Sequence, residues 1–487
     1  MTLDKLLEGL VNPLPEKLNV KGLSLDSRLV KKGDLFFACV GTNSDGRKFI
    51  SDAIEKGCVA VVYEENGSEI ECEQNSIPMF PIKNLNEKLS DIAAKFYEYP
   101  AKKLTMIGIT GTNGKTSCSH FIATALSMAG HICGIVGTVG SGLVGQLQTA
   151  QLTTPNQIQL QSTLAELLSS GADSIAMEVS SIGIEQFRVQ GIPFSIVIYT
   201  NLTRDHLDYH GTMENYAAAK RKLFLSPGIK HAIINIDDAF GEQLINEFNS
   251  QLNVISYSAI GNINAKVYVT HAKLDMHGIT ASLHTPWGDC VLHSKLLGRF
   301  NLSNLLAVLI TLCVLDIPLE RVLDYLAKLN GVSGRVELFG GAEKPLVIVD
   351  FAHTPDALEK LLTTLGEFCS GELWCVFGCG GDRDKGKRPE MGAIAERYAD
   401  RIVVTDDNPR HENPVGIVAD ILQGMESPAS VVVEHDRHRA IAHAIKCAHP
   451  GDIVLVAGKG HETYQEIGDK KNSFNDALTV QMILAEF

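Results

Sequence analysis

Apolar residues in this chain gather in short runs separated by polar, glycine-rich stretches, and the runs fall into three groups. The first group, residues 1–102, mixes short strands with the turn-rich stretch Gly41-Thr-Asn-Ser-Asp-Gly46. The second, residues 103–334, opens with the apolar run Leu104–Ile109, then a glycine-rich turn, then a helix-like stretch from Lys115 to about Met128. That order predicts strand, phosphate-type loop and helix. The third, residues 335–487, carries buried-strand runs at Leu346–Val349, Leu373–Phe377, Ile402–Thr405 and Ile453–Val456 with helical stretches between them. Unbroken apolar strands alternating with helices predict a mostly parallel sheet covered on both faces. The expected class is therefore α/β in three domains, with the chemistry on loops at the carboxyl ends of strands. No internal repeat, low-complexity tract or charge block interrupts the pattern.

Composition narrows the classes. With 45% hydrophobic and 21% charged residues in a 487-residue chain, sizeable cores can form. No window approaches the run of about 20 apolar residues that a membrane-spanning helix needs, so no membrane insertion is expected. The start of the chain shows no basic segment followed by an apolar core, so no signal peptide is expected and the location is expected to be cytoplasmic. Eleven cysteines are scattered without paired spacing, and Cys39, Cys133 and Cys375 sit in apolar runs. They read as buried thiols of a reducing compartment, not as a disulfide or zinc framework. A net charge of -14 argues against a nucleic-acid partner but leaves room for small anionic substrates in local basic pockets.

The strongest local signal is Gly111-Thr-Asn-Gly-Lys-Thr-Ser117. Its glycines allow backbone N–H groups to approach phosphate oxygens, and the following helix presents its positive end. Lys115 can reach terminal phosphates and the hydroxyl of Thr116 can hold Mg²⁺; the alternative is a glycine-rich turn without a ligand. The general phosphate-loop pattern expects glycine at 109, where this chain has Ile109. Two acidic clusters accompany the loop: Ala176-Met-Glu-Val-Ser-Ser181, with Glu178 ending an apolar stretch, and Asn201-Leu-Thr-Arg-Asp-His-Leu-Asp-Tyr-His-Gly211 after the run Phe194–Tyr199. Each alone reads equally well as a surface loop or a capped helix start. Beside a phosphate loop they offer metal ligands, which phosphoryl transfer uses to neutralise developing charge.

These segments, with Gly298-Arg-Phe-Asn-Leu-Ser-Asn304, Gly334-Arg335 and Asp350-Phe-Ala-His-Thr-Pro355, resemble the Mur ligase family of ATP-dependent amide ligases and occur in that family's order. The resemblance implies that Gly111, Thr112, Asn113, Gly114, Lys115, Thr116 and Ser117 hold ATP, with Mg²⁺ on Thr116, Glu178, His206 and Lys220. Lys220 matches the family's carbamylated lysine, although the residues alone read as a solvated helix lysine. Lys115, Lys220, Glu178 and His206 form the implied catalytic set. Asn304 is implied to contact adenine, with Arg335, Asp350 and His353 holding the nucleotide.

The first segment narrows the resemblance. Gly22-Leu-Ser-Leu-Asp-Ser-Arg28, Lys32-Gly-Asp-Leu-Phe-Phe37 and Asp45-Gly46 resemble the uridine-nucleotide-binding domain of the family's tripeptide-forming branch. By that likeness Leu25, Ser27, Thr42, Asn43 and Ser44 meet the UDP-sugar, and Thr153, Thr154, Ser180, Gln186 and Arg188 meet the muramoyl dipeptide. Ile182 departs from the family's usual histidine. In the third, Rossmann-like segment, Gly378–Pro389 superficially suggests a dinucleotide fingerprint, but its glycine spacing is wrong for one. Asp407-Asn-Pro-Arg410 matches the diaminopimelate-adding branch, where lysine-adding relatives differ at the arginine; alone it fits an Asx-Pro turn. Arg383, Gly458 and Glu462 match the other residues around the amino acid, so Arg383, Asp407, Asn408, Pro409, Arg410, Gly458 and Glu462 form the implied acceptor set. The implied reaction adds meso-2,6-diaminopimelate to UDP-N-acetylmuramoyl-L-alanyl-D-glutamate through an acyl phosphate, with small-molecule partners only and the chain acting as a monomer. A planar guanidinium at 410 that lost its carboxylate would reject lysine by roughly 10⁴-fold. The alternatives are the same ligase with another acceptor, a folate-polyglutamate-type ligase lacking the Ser27 pattern, or a nucleotide-binding regulator without ligase chemistry.

Overall fold

The computed structural model describes residues 1–12, 18–41, 44–65, 77–150 and 152–486. The chain divides into two compact units: Met1–Gly108 with Gly130–Val197 and Lys222–Lys230, and Ile109–Ala129 with Ile198–Arg221 and His231–Phe487.

In the first unit, strands Gly22–Ser24, Asp34–Ala38, Ala60–Glu64 and Met79–Ile82 form a parallel sheet in sequential order. Strand parity sorts its side chains. Leu35, Phe37 and Val62 enter the same core as Leu85, Leu89, Ile92 and Ala93 of helix Leu85–Phe96, while Phe36 and Val61 meet Ile50 and Ala53 on the other face. The helix can do this because its apolar residues recur at the three-to-four spacing of one helical face. Further along, Cys133–Val136 pairs parallel with Ser174–Glu178 and antiparallel with Ser141–Leu143. Ser174–Glu178 is buried throughout, so Glu178 arrives at its carboxyl end out of solvent.

In the second unit, helix Lys115–Met128 packs against helix Arg299–Cys313, whose residues from Leu305 to Cys313 are all buried. The third segment forms a six-stranded sheet in the order Glu337–Gly340, Leu346–Asp350, Ile453–Ala457, Leu373–Phe377, Arg401–Val404, Val432–Val433. Only the first of these is antiparallel. Ile348, Cys375, Phe377 and Leu455 face helices Pro355–Gly366, Lys387–Tyr398 and Pro414–Leu422; Val347, Val349, Val376, Val454 and Val456 face Arg437–Cys447 and Asp476–Ala485. Both faces being covered explains the unbroken apolar runs. The four expected strands are present, with Arg401–Val404 starting and ending one residue earlier than the apolar run suggested. Loops after Asp350, Phe377, Val404 and Ala457 all leave the carboxyl edge of this sheet, where the strand for residues 453–457 crosses between two earlier ones.

Ten free cysteines occur among the described residues. Cys133 and Cys375 are buried as expected; Cys39 is only half-buried, yet desolvation of its thiol pushes its pKa up to about 12.

Candidate functional site

The phosphate loop in the second unit is braced by the 200–203 segment. Thr112 N–H donates to the Asn201 carbonyl at 2.8 Å, Asn113 N–H to Asn201 Oδ1 at 2.9 Å, and Thr200 Oγ1 to the Asn113 carbonyl at 2.6 Å. Gly111 and Gly114 have φ of +150° and +88°, and a Cβ on Gly114 would sit 2.5 Å from Asn304 Oδ1. Glycine is needed there both for the left-handed turn and for the approach of the helix bearing Asn304. Lys115 Nζ curls back to the carbonyls of Gly111 and Thr112 at 2.7 and 2.8 Å. Ile109 lies wholly buried inside the strand Thr105–Thr110, so the turn begins two residues later than the general pattern places it.

A cavity of about 780 Å³ opens beside this loop, lined by Asn113, Gly114, Ser117, Asn304, Arg335 and Asp350 among others. Arg335 donates to Thr116 Oγ1 at 3.1 Å and stacks its guanidinium over the Phe351 ring. Asp350 accepts the Val336 N–H at 2.8 Å, and burial raises its pKa. His353 packs edge-on against Phe351, and its Nε2 lies 3.6 Å from Asp205. The expected adenine and phosphate residues are thus brought together.

Lys220 departs from the solvated lysine that its residues alone suggested. Helix Met213–Arg221 buries Tyr216, Ala219 and Lys220 on one face, and Lys220 Nζ sits 4.2 Å above the Tyr216 ring. Desolvation and then the charge of Lys115 push its pKa well below the ordinary lysine value. His206, at a φ of +54°, has its pKa lowered to about 4 by burial, so its imidazole is neutral at physiological pH. Tyr216 joins both, edge-on to His206 and with its phenol 3.2 Å from Thr112 Oγ1. Among the described residues no group of three or more His, Cys, Asp or Glu side chains is gathered for a metal ion.

In the first unit, Thr138 donates its N–H and its hydroxyl to the two oxygens of Glu178, each at 2.9 Å, and pairs with Thr153 at 3.0 Å. Thr154 Oγ1 donates to the Glu178 carbonyl and accepts from Ser180 N–H, each at 2.9 Å. Arg188 donates to the Thr154 carbonyl at 2.7 Å and to Gln186 Oε1 at 3.0 Å. Thr153, Thr154, Ser180, Gln186 and Arg188 are therefore one network around Glu178. Ser27 is buried at the start of a short helix capped by Asp26; Leu25 is half-buried and Ser44 exposed. Thr42 and Asn43 lie outside the described residues. Ile182 is half-buried in helix Ser181–Glu185.

The acceptor set converges at the carboxyl edge of the six-stranded sheet, with one exception. Asn408 Nδ2 donates to Glu462 Oε2 at 2.9 Å, while its Oδ1 accepts from Lys459 Nζ at 3.0 Å and from Glu466 N–H at 2.9 Å. Lys459, fully buried, also donates to Glu462 at 2.7 Å. Asp407 is buried against Gly458. Arg410 does not stand free: Nε donates to Glu466 Oε2 at 3.0 Å and Nη1 to the Gly381 carbonyl at 2.7 Å. Arg383 is the exception, exposed on the glycine-rich loop. That loop's glycines have a packing reason: Gly381 N–H donates to the Asn408 carbonyl at 2.9 Å, and any Cβ on Gly381 would collide with the Pro409 carbonyl. Sequence reasoning missed Tyr216, Lys459 and Glu466. The first carried a signal, because 216, 219 and 220 share a helical face; the last lies on a polar hairpin, Tyr464–Ile467 with Lys470–Ser473, which has no apolar alternation.

Comparison with known proteins adds an independent line. Profiles described as the Mur ligase family catalytic domain, the Mur ligase middle domain and the Mur ligase glutamate ligase domain match residues 19–97, 109–312 and 334–460. A UDP-N-acetylmuramoyl-L-alanyl-D-glutamate–2,6-diaminopimelate ligase of Coxiella burnetii is 47% identical over 97% of this chain and 97% of its own. The enzyme of the same name from Pseudomonas aeruginosa is 49% identical over 96% of each chain. A solved structure of that ligase type superimposes with a TM-score of 0.70 at 36% identity, covering 100% of this chain and 99% of the other.

Proposed function

This chain belongs to the Mur ligase family, and on that premise we propose that it joins meso-2,6-diaminopimelate to UDP-N-acetylmuramoyl-L-alanyl-D-glutamate in peptidoglycan synthesis, driven by ATP. The observation that carries the reading is near-half identity, over almost the whole chain, to ligases of that name. The three segments 1–102, 103–334 and 335–487 would serve the uridine nucleotide, ATP and the acceptor amino acid in turn. We place the reaction in the cytoplasm, on a monomer; among the described residues no helix is long and apolar enough to cross a membrane.

The side-chain carboxylate of D-glutamate attacks the γ-phosphorus of ATP, an O–P bond forms, the bond to the β-phosphate oxygen breaks, and ADP leaves. The amine of diaminopimelate then attacks the acyl carbon, loses a proton, and phosphate departs. Lys115, released from the Gly111 and Thr112 carbonyls, would follow the transferring phosphoryl group. Arg335 would hold the nucleotide from the far side of the cavity, and Asn304 would meet the base. Lys220 supports the family's carbamate: an unprotonated amine can add CO₂, forming an N–C bond and releasing a proton, and burial followed by the Lys115 charge lowers this amine's pKa well below the ordinary lysine value, which favours that form. Within the second unit, Thr116, the neutral imidazole of His206 and the Lys220 carbamate are the groups we assign to Mg²⁺, oxygen and imidazole donors that such a cation accepts. When bound, the ion would neutralise charge on the transferring group.

The direct test incubates the purified chain with ATP, Mg²⁺, the UDP-dipeptide and meso-diaminopimelate. Phosphate release that requires all three substrates, with the UDP-dipeptide gaining the mass of one diaminopimelate residue, is expected. No release with a folded protein would refute the reading.

A further inference from the structure

Glu466 carries none of the roles assigned above, yet it touches the acceptor residues at three points. Its carboxylate accepts from Arg410 Nε at 3.0 Å, its N–H donates to Asn408 Oδ1 at 2.9 Å, and its carbonyl accepts from Arg410 N–H at 3.0 Å. A fourth tie from the same hairpin, Gly468 N–H to the Arg410 carbonyl at 2.8 Å, closes the backbone around residue 410. Arg410 needs that support, because its φ of +49° is a left-handed conformation that a side chain with a Cβ seldom adopts.

The consequence is geometric. A guanidinium offers five N–H bonds in one plane. With Nε committed to Glu466 and Nη1 to the Gly381 carbonyl, both the plane and the rotation of the group are fixed. Nη2 donates to no described residue. Nη2 therefore keeps both of its hydrogens and Nη1 one, so the Nη end of the group can still meet a carboxylate arriving end-on, the geometry that distinguishes arginine from lysine as a carboxylate ligand.

We propose that Glu466 is a positioning residue that sets acceptor specificity: it tethers Nε so that the opposite edge of Arg410 is pre-aimed at the distal carboxylate of the acceptor amino acid. This rests on the functional reading above and adds the residue that orients the guanidinium. Without Glu466 the side chain regains rotamers that it must give up again on binding, so the loss falls on acceptor affinity.

Steady-state kinetics of the full chain and of its Glu466→Ala and Glu466→Gln variants test it, with meso-diaminopimelate, ATP and the UDP-dipeptide each varied in turn. Loss of a charge-assisted hydrogen bond predicts a KM for diaminopimelate about tenfold higher in Glu466→Ala. The kcat and the KM for ATP should stay within about twofold, since the tether acts on ground-state and transition-state binding alike. Glu466→Gln keeps an oxygen for Nε and the same shape, and should recover KM to within about threefold of the unmodified protein. An unchanged diaminopimelate KM in Glu466→Ala, an equal rise in the KM for ATP, or a glutamine variant no better than alanine would overturn the proposal. If the unmodified protein does not turn over diaminopimelate at all, the functional reading fails and this inference fails with it.

Discussion

At the scale of single residues, the phosphate-loop lysine and the buried lysine make opposite demands on the sequence reader. Lys115 was legible because Gly-Lys-Thr at a strand-to-helix junction has few structural uses. Its ammonium holds the carbonyls of Gly111 and Thr112, which restrains the loop. Lys115→Ala is therefore expected to abolish acyl-phosphate formation and to lower stability by only about 1–2 kcal/mol, the scale of two partly exposed hydrogen bonds. Isotope exchange or trapping of the acyl phosphate, with a thermal melt alongside, checks both halves; near-normal ligation would refute the role. Lys220 was legible only through family likeness, although the shared face of Tyr216, Ala219 and Lys220 could have signalled burial. If it works as a carbamate, Lys220→Ala should lose activity that a small carboxylic acid in the buffer partly restores. An alanine variant with full activity, or one that no carboxylic acid restores at all, would count against the carbamate.

At the scale of elements, strands and helices were readable wherever burial on both faces produced unbroken apolar runs, as at Leu373–Phe377. The polar hairpin carrying Glu466 was not, because its first strand is half-buried without alternation, its second is exposed, and neither gives a period. Nor could local pattern show that the last long strand, Ile453–Ala457, inserts between two earlier ones and thereby lines up the four loops at the carboxyl edge. The glycine-rich loop resembled a cofactor motif because tight backbone approach is needed for either purpose; here the partner is the 407–410 loop.

An ionic clamp helps to hold these two loops. Arg388, almost wholly buried, donates to both oxygens of Glu412 and to Asp420, and Glu412 also accepts from Asp382 N–H. The Arg388 hydrogen bonds lower the Glu412 pKa from 4.5 to about 2. A depressed folded-state value means the stabilisation is complete above the unfolded pKa of about 4.5 and is lost as pH falls toward 2. Screening by solvent at the partly exposed carboxylate brings its size down to about 1–2 kcal/mol. Glu412→Gln should therefore be less stable at neutral pH and show a flatter decline in unfolding free energy across that acid window. Identical pH slopes for the two proteins in denaturant titrations would remove the clamp from the account.

At the scale of the whole molecule, local pattern yields three segments, whereas the compact units join pieces distant in sequence: residues 109–129 belong with 231–487, and 130–197 with 1–108. Periodicity cannot show such regrouping, because it is decided by long-range strand pairing and packing. Function at this scale was legible because motifs spread from Asp26 to Glu462 occur in one family's order. What sequence could not weigh was how strongly acceptors are discriminated.

The structure changes that estimate. Arg410 already has Glu466 and the Gly381 carbonyl as partners, so an acceptor without a distal carboxylate leaves one edge of the guanidinium unmatched but does not strand the whole group. The penalty should then fall below the roughly 10⁴-fold expected for an unpaired buried group. It remains substantial, because the edge left idle is the bidentate one and the neighbouring Glu462 and Lys459 are fixed. Measuring kcat/KM for meso-diaminopimelate and for L-lysine, with the UDP-dipeptide and ATP saturating, tests this most directly. A preference for diaminopimelate of about 100-fold or more is predicted, and comparable values for the two amino acids would contradict it.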